Sequence, residues 1–329
     1  MRKLCLVRIL GGRSIRPNLI VHAEHGWYKS VRDDKFDFFV KLERLLKSKN
    51  IDCFVVDANS LRSKRLRKHN HIHLMLGDFA EHGRNTLHVM PTYVWGFWYL
   101  DETGVHWNSS IRTATFIPEA LDAEPAKHFF NGVSGHMLRE NVSKKVQDTR
   151  VAGDLPEAGA VVYLQQIDGY KNRIHYLDTA EMVSTVAQTL DGKRVYVKPH
   201  PDTTSSELAS IRNLCTKFGN IVVSNASIHD LTAASRVVVT QNSAAGFEAL
   251  MQKKPVITCA KSDYWHATLV AETVGDLERL LPKAEAELTR LSFEKYLYWY
   301  LHQQCLEPQA EGFEARVWEK LKDRAGVIN

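Results

Sequence analysis

Two short stretches carry residue types that together could hold a sugar nucleotide. The first is Arg194-Val-Tyr-Val-Lys-Pro-His-Pro-Asp202. Arg194 to Lys198 alternates as a short buried strand does, and Pro199 stops it, because proline lacks an N–H and fixes φ. A strand that ends in Lys198-Pro-His200-Pro201 leaves an ammonium and an imidazole at the carboxyl edge of a sheet. Open α/β sheets bind their ligands at that edge. The second stretch is Arg236-Val-Val-Val-Thr240 running into Gln241-Asn-Ser-Ala-Ala-Gly-Phe-Glu-Ala-Leu250. It reads as strand, small-residue turn and helix. Asn242, Ser243, Ala244 and Gly246 gather at the helix start, with Glu248 just beyond. Free N–H groups there and the Ser243 hydroxyl would suit a phosphate. The two edges together predict a site for a sugar carried on a nucleotide monophosphate or diphosphate.

Two carboxylates stand where they could serve such a site. Ala160-Val-Val-Tyr-Leu164 is a strand that runs into Gln165-Gln-Ile-Asp-Gly169. Asp168 thus follows a strand, beside a glycine that lets a ligand approach the backbone; an ordinary Asp-Gly turn is the other reading. Asn18 to Ala23 is a strand that ends in Glu24-His-Gly26. Glu24 and His25 are expected where strand becomes loop, with Gly26 allowing a sharp turn, or else as a plain polar turn. Asp168, His200 and Ser243 each follow a different strand, so a parallel sheet would project all three from one edge. His69, His71 and His73 alternate into a strand, but no acidic or cysteine partner is near them, so no metal site is read there. No Asp-x-Asp pair, P-loop or Gly-x-Gly-x-x-Gly occurs.

The elements that must position these residues follow from periodicity. In the first half they are a strand at 18–23, a helix at 36–46 and strands at 51–56 and 72–76. Ser60 is read as the cap of a short basic helix holding Arg62, Lys64, Arg65, Arg67 and Lys68. Such a run is usually a solvated face, with contact to a membrane surface or polyanion as the second reading. Aromatics crowd residues 91–110 and are read as core, or as the lining of a sugar cleft. Asp101-Glu-Thr-Gly104 is a turn. A helical pattern covers 118–145 with a break at Gly132 to Gly135, and 146–158, with Gly153 and Pro156, reads as a polar linker. Beyond it, strands at 160–164, 194–198, 221–224, 236–240 and 255–259 alternate with helices at 178–190, 205–218, 228–235 and 243–252. This is the pattern of a doubly wound parallel sheet. Residues 292–306 and 313–321 are helical and are expected to pack back across both domains.

The totals set bounds. A chain of 329 residues suits two domains of about 150 each, here divided as 1–152 and 153–329. Charged residues are 25% and apolar residues 44%, the mix of a soluble globular protein. No apolar run nears the roughly 20 residues of a membrane span. The N-terminal Met1-Arg-Lys-Leu-Cys-Leu-Val-Arg lacks the apolar core of a signal peptide. The cysteines at 5, 53, 215, 259 and 305 are scattered and read as reduced packing residues. A net charge of +5 is too mild to imply nucleic acid and fits anionic substrates or an anionic membrane surface.

Several of these segments, in this order, resemble those of capsule polysaccharide biosynthesis proteins, the bacterial retaining β-Kdo glycosyltransferases. Glu24-His-Gly-Trp-Tyr-Lys-Ser30 is similar to their Glu-Asp-Gly-Phe-Ile-Arg-Ser. Asp101-Glu-Thr-Gly-Val-His-Trp107 resembles Asp-x-x-Gly-Ile-Tyr-Tyr, and Gln165-Gln-Ile-Asp168 resembles Gln-Val-Glu-Asp. Lys198-Pro-His-Pro201 matches their Lys-Pro-His-Pro, and Asn242 to Leu250 is similar to Ser-x-x-Gly-Phe-Glu-Ala-Leu. The family's Pro-Phe-Tyr-Ala-Gly-Trp-Gly is replaced by Ser262-Asp-Tyr-Trp-His266, which leaves subfamily and acceptor open.

The resemblance implies a GT-B fold, two Rossmann-like domains, and transfer of Kdo from CMP-β-Kdo with retention. Retention by double displacement needs a carboxylate nucleophile, which would be Asp168. Glu24 would be the acid/base on the acceptor hydroxyl. Lys198, His200, Pro201, Asn242, Ser243, Ala244, Gly246 and Glu248 would hold the CMP, with His200 also stabilising the departing phosphate. No cofactor or metal is implied, since the donor has no diphosphate. The implied partners are CMP-Kdo and a glycan or glycolipid acceptor, with no nucleic acid. The implied location is cytoplasmic, either free or peripheral to the inner membrane. Rival readings are a sialyltransferase, a CDP-glycerol-type glycerophosphotransferase and a non-catalytic glycan-binding subunit of a capsule assembly.

Overall fold

A computed structural model describes residues 2–3 by their backbone, and residues 17–77, 79, 81–151, 155–289, 291–322 and 324. Cys5, most of the N-terminal basic stretch and Gly153 lie outside the described residues. The other four cysteines are buried. The chain forms two compact units: residues up to Ser110 with those from Leu301 on, and Ile111–Tyr300.

The first unit holds β1 (Arg2–Lys3), β2 (Leu19–Ala23), β3 (Cys53–Asp57), β4 (Ile72–Leu76), β5 (Thr86–Pro91) and β6 (Trp98–Asp101). Their order is β1-β3-β2-β4-β5-β6, parallel except for β6. β2 and β4 are buried along their whole length, as strands covered on both faces must be. The second unit holds β7 (Ala158–Tyr163), β8 (Val195–Lys198), β9 (Ile221–Val223), β10 (Ser235–Thr240), β11 (Val256–Thr258) and β12 (Leu269–Val270). Their order is β12-β11-β10-β7-β8-β9, all parallel. Counted from its own first strand this is 6-5-4-1-2-3, the order of the dinucleotide-binding fold. The direction of winding reverses between β2 and β4 in one unit and between β7 and β10 in the other. A ligand crevice opens at such a reversal.

The division differs from one at 152/153, which falls inside the second unit. The segment from Ile111 and the helix Ala123–Arg139 belong with the second sheet, because the helix Phe293–Leu297 packs on them. That helix is continuous through Gly132 and Gly135: Ala126, Phe130, Ser134 and Met137 form a buried stripe that holds it together. The chain from Leu301 returns to the first unit. Leu306 and Trp98 exchange backbone hydrogen bonds of 2.8 and 2.9 Å, Trp98 stacks on Phe38, and Phe313, Val317 and Leu321 join the first core.

Residues 140–151, read as the end of a helix and the start of a linker, are instead strapped down in the second unit after a helix that stops at Arg139. Ser227 Oγ donates to Asn141 Oδ1 (2.6 Å) and Ile228 N–H to Gln147 Oε1 (3.1 Å). Arg150 Nε and Val151 N–H both donate to the Asp230 carboxylate, each at 2.7 Å. Lys145 pairs with Asp202 at 2.6 Å.

Of the alternating histidines, His71 and His73 are buried and His69 is exposed. His73 Nε2–H donates to the His69 carbonyl (3.2 Å), so its Nδ1 accepts from His22 Nε2 (3.0 Å), and His22 Nδ1 accepts from the Ser63 hydroxyl (2.8 Å). Burial first, then its histidine neighbours and Arg67, lower His22 to about 3. Burial likewise lowers His71 to about 4. Below the unfolded value near pH 6.5 the unfolded chain takes up protons that the folded chain refuses. Stability is therefore full above pH 6.5 and falls toward pH 3–4. Urea unfolding is expected to show a loss of about 2 kcal/mol at His22 alone between pH 7 and 5, with a shallower pH slope in His22→Gln. Equal slopes would contradict this.

Candidate functional site

The site begins where β7 and β10 part. At their carboxyl ends Thr240 Oγ1 donates to the Tyr163 carbonyl (2.9 Å), which fixes the register of the two loops that follow. Gln241 is fully buried. Its Nε2 donates to Asp168 Oδ1 (2.6 Å) and to the Leu177 carbonyl (3.0 Å). The other oxygen of Asp168 accepts the Thr179 backbone N–H (3.1 Å), at the start of the helix Thr179–Thr189. The exposed carboxylate is thus held from two sides by neutral donors. Lys198 is turned elsewhere. Its ammonium donates to the carbonyls of Asn225 and Ala226, each at 2.8 Å. Burial holds its pKa below the usual lysine value, with Asp148 opposing.

The loop after β7 joins the neighbouring strand ends. Gln165 Oε1 accepts from Asn242 N–H (2.7 Å), toward β10. Gln166 Nε2 donates to the Asp202 carbonyl (3.2 Å) and to Glu207 (3.1 Å), toward β8. His200 lies at the β8 edge, half-buried. Burial lowers its pKa, with Asp202 opposing. Its Nδ1 accepts the Asp202 backbone N–H at 3.2 Å, so the neutral ring carries its proton on Nε2, which can donate to a ligand. Pro201 is exposed beside it. Asp168, His200 and Ser243 all follow strands of one parallel sheet at its carboxyl edge, as the sequence predicts.

The 242–248 stretch divides between edge and interior. Asn242 is buried, and its Nδ2 donates to the Lys261 carbonyl (2.7 Å). Ser243 Oγ accepts the Ala245 N–H (3.2 Å) and so caps the six-residue helix Ala244–Ala249. Its hydroxyl proton and the half-buried Ala244 remain at the edge. Gly246 and Glu248, expected on the donor, face inward. A Cβ on Gly246 would come within 2.7 Å of Thr240 Cγ2 and 2.9 Å of the Tyr264 hydroxyl, so this glycine permits close packing of helix on sheet. Gly246→Ala is expected to lose about 1–3 kcal/mol of stability by overpacking; an unchanged melting temperature would contradict it. Glu248 is 2% exposed and accepts the Ser143 hydroxyl at 2.9 Å. Burial pushes it up to about 8, against the bonds from Ser143 and the Lys144 backbone. It anchors the strap rather than lining the edge.

In the first unit Glu24 ends β2 at the reversal between β2 and β4. The residues after it are not a turn: the helix His25–Arg32 starts at once and Gly26 lies within it, because Trp27, Tyr28 and Val31 pack on the core. Glu24 N–H donates to the Leu76 carbonyl (3.1 Å). Its side chain lies over Gly77, where a Cβ would sit 2.5 Å from Glu24 Cδ and where φ is +145°. Glycine at 77 is therefore what gives Glu24 its place. His25 is exposed, 3.5 Å from Asp57.

Sequence reasoning missed Gln241 and Thr179. The first lies one residue before the noted Asn242, and the second acts only through its backbone, which leaves no trace in side-chain type. Among the described residues no group of three or more histidines, cysteines or acids is gathered to hold a metal.

Residues 135–288 match the family model described as capsule polysaccharide biosynthesis protein. No curated protein matches the chain. The chain is similar in fold to Thermosulfurimonas dismutans KpsC, beta Kdo 2,7 transferase, with 15% identity, 93% of this chain and 99% of that one covered, and a TM-score of 0.55. It is also similar to Thermosulfurimonas dismutans KpsC, beta Kdo 2,4 transferase, with 16% identity, 82% and 90% covered, and a TM-score of 0.51. At these identities the likeness is one of fold, and two doubly wound units in one chain make that fold GT-B. Over residues 135–288 the chain is therefore similar to the capsule polysaccharide biosynthesis proteins.

Proposed function

We propose that this protein is a retaining β-Kdo glycosyltransferase that moves Kdo from CMP-β-Kdo to a glycan or glycolipid acceptor of the bacterial surface. The observation that carries the reading is Asp168: a carboxylate at the winding reversal of a dinucleotide-type sheet, held between Gln241 and the Thr179 N–H. The two similar solved structures, both of Kdo transferases, support the choice of sugar.

Asp168 attacks the anomeric carbon of Kdo, and the bond from that carbon to the phosphate oxygen breaks, with its electron pair leaving on CMP. His200 Nε2–H and the Ser243 hydroxyl donate to the phosphate as its charge grows. The acceptor hydroxyl then attacks the same carbon, Asp168 departs, and Glu24 takes the hydroxyl proton. Two inversions give net retention. Pro201, Asn242 and Ala244 shape the nucleotide edge, and Lys198 contributes its buried positive charge there without direct contact. A donor with a single phosphate is proposed to need no metal.

No described helix is long and apolar enough to cross a membrane. The location proposed is cytoplasmic, free or peripheral to the inner membrane. The helix Leu61–Leu66, capped by Ser60 and exposing Lys64 and Arg65, is the face that would meet anionic lipid.

Calorimetry is expected to show CMP binding weakened about 10- to 100-fold in His200→Ala, the effect of losing a hydrogen bond to a charged group. Wild-type affinity there would remove the nucleotide from this edge. The function itself is tested by a donor screen with CMP-Kdo, CMP-sialic acid and CDP-glycerol. CMP release from CMP-Kdo is the expected result. Glycerophosphate transfer, preference for CMP-sialic acid, or no turnover would each overturn the reading.

A further inference from the structure

Beside Asp168 the second unit opens into a depression of about 590 Å³, within the size range of small-molecule sites. The loop after β7 lines one side with Asp168, Tyr170, Arg173 and His175, and Ser210 of the helix Ser205–Cys215 lines the other. We infer that this depression is the subsite for the transferred sugar, and that it is built for a sugar acid whose carboxylate pairs with Arg173. The inference rests on the transferase reading above.

Three observations carry it. His175 is 7% exposed, and its Nδ1 is buried without a hydrogen-bond partner. The backbone of His175 is fixed by a β-bridge to Ala260, so the ring is held at the wall of the depression. A buried polar nitrogen left unpaired is unfavourable, and a turn of the ring toward the depression would let a sugar hydroxyl supply what it lacks. Arg173 donates from one terminal nitrogen to the Tyr176 carbonyl at 3.2 Å. A guanidinium has five N–H donors in a planar fork, and the remaining ones match a carboxylate. The two acids of the lining are already served. Asp168 accepts from Gln241 and the Thr179 N–H, and Asp178 accepts the Glu181 N–H at 2.8 Å. The lining thus holds one guanidinium, Arg173, among the carboxylates of Asp168 and Asp178.

The chemistry of the sugar explains why the cation must share a cavity with the nucleophile. In a 2-keto sugar acid the carboxylate is bonded to the anomeric carbon itself. When that carbon lies at Asp168, its carboxylate lies one bond away and repels the attacking oxygen unless a cation neutralises it. Arg173 does so, and Tyr170, 50% exposed, offers an aromatic face to the C–H side of the ring. A sugar with hydrogen at the anomeric carbon would leave Arg173 unused.

The test uses the full chain with Arg173→Gln, Arg173→Lys and His175→Ala. The readouts are CMP affinity, the KM and kcat for CMP-Kdo, and competition by free Kdo and by its C1 methyl ester. Arg173→Gln is expected to raise KM about 10- to 100-fold with CMP affinity unchanged, and Arg173→Lys to recover part of the loss. Free Kdo should compete in the wild type and lose its effect in Arg173→Gln, while the ester should compete poorly throughout. A wild-type KM in Arg173→Gln, or equal competition by acid and ester, would overturn the subsite while leaving the transferase reading standing. A wild-type enzyme that turns over no CMP-Kdo marks failure of that reading instead. Direct binding of free Kdo, lost in His175→Ala and Arg173→Gln, would then still support the subsite, and its absence would overturn it.

Discussion

Asp168→Asn is expected to lower transfer by roughly 10⁴-fold or more, the scale seen when a covalent nucleophile is removed, while CMP affinity stays at the wild-type value. The separation follows from where the groups lie. Asp168 is reached through Gln241 and the Thr179 N–H, whereas the nucleotide edge is His200 and Ser243. An asparagine keeps one carbonyl oxygen to accept from one of those donors, so the loop stays seated and the melting temperature should shift little. It has no anionic oxygen to form an ester with the anomeric carbon. The anomeric carbon of Kdo is fully substituted, which makes the transition state strongly oxocarbenium-like, and a carboxylate stabilises that positive charge and can still depart. Stopped-assay measurement of CMP release and of glycosylated acceptor checks the loss. Transfer with retention by Asp168→Asn at a rate near wild type would show that Asp168 is a turn residue.

Glu24→Gln is expected to divide the reaction differently. CMP affinity and donor cleavage should survive, and transfer to the acceptor should fall by about 10²- to 10⁴-fold, the usual contribution of a general base. Glutamine is nearly isosteric, so the packing over Gly77 is preserved and only the proton acceptor is lost. Gly77→Ala approaches the same residue from beneath: its Cβ would lie 2.5 Å from Glu24 Cδ and must push the carboxylate aside. Both variants should therefore fail at the acceptor step, measured as donor hydrolysis without glycoside formation. Wild-type transfer in Glu24→Gln would leave Glu24 as a helix start.

Much of the second unit was legible because its strands are apolar runs stopped by distinct signals. Pro199 ends β8 after Lys198, and small residues follow β10, so Asp168, His200 and Ser243 could be set on one edge from spacing alone. Direction of side chains was not legible. Lys198, Gly246 and Glu248 sit in the right segments, yet the ammonium turns to the Asn225 and Ala226 carbonyls and the other two turn into the fold. Composition cannot distinguish a residue that faces the edge from one that faces the next strand. The residues after 145 misled for a related reason. The polarity from 146 on suggested a linker, but Gln147 and Arg150 spend it on the Ile228 N–H and Asp230. The return of the chain from Leu301 depends on contacts far apart in sequence, such as Trp98 with Leu306, and no local pattern encodes the unit it joins.

The most direct test of the central claim is the mass of the enzyme after incubation with CMP-Kdo in the absence of acceptor. Double displacement predicts one added Kdo, carried by the peptide that contains Gln165 to Lys171, absent in Asp168→Asn and discharged when acceptor is supplied. An adduct on another peptide, or complete CMP release with retention and no adduct under quenched conditions, would contradict the assignment of Asp168 as the nucleophile.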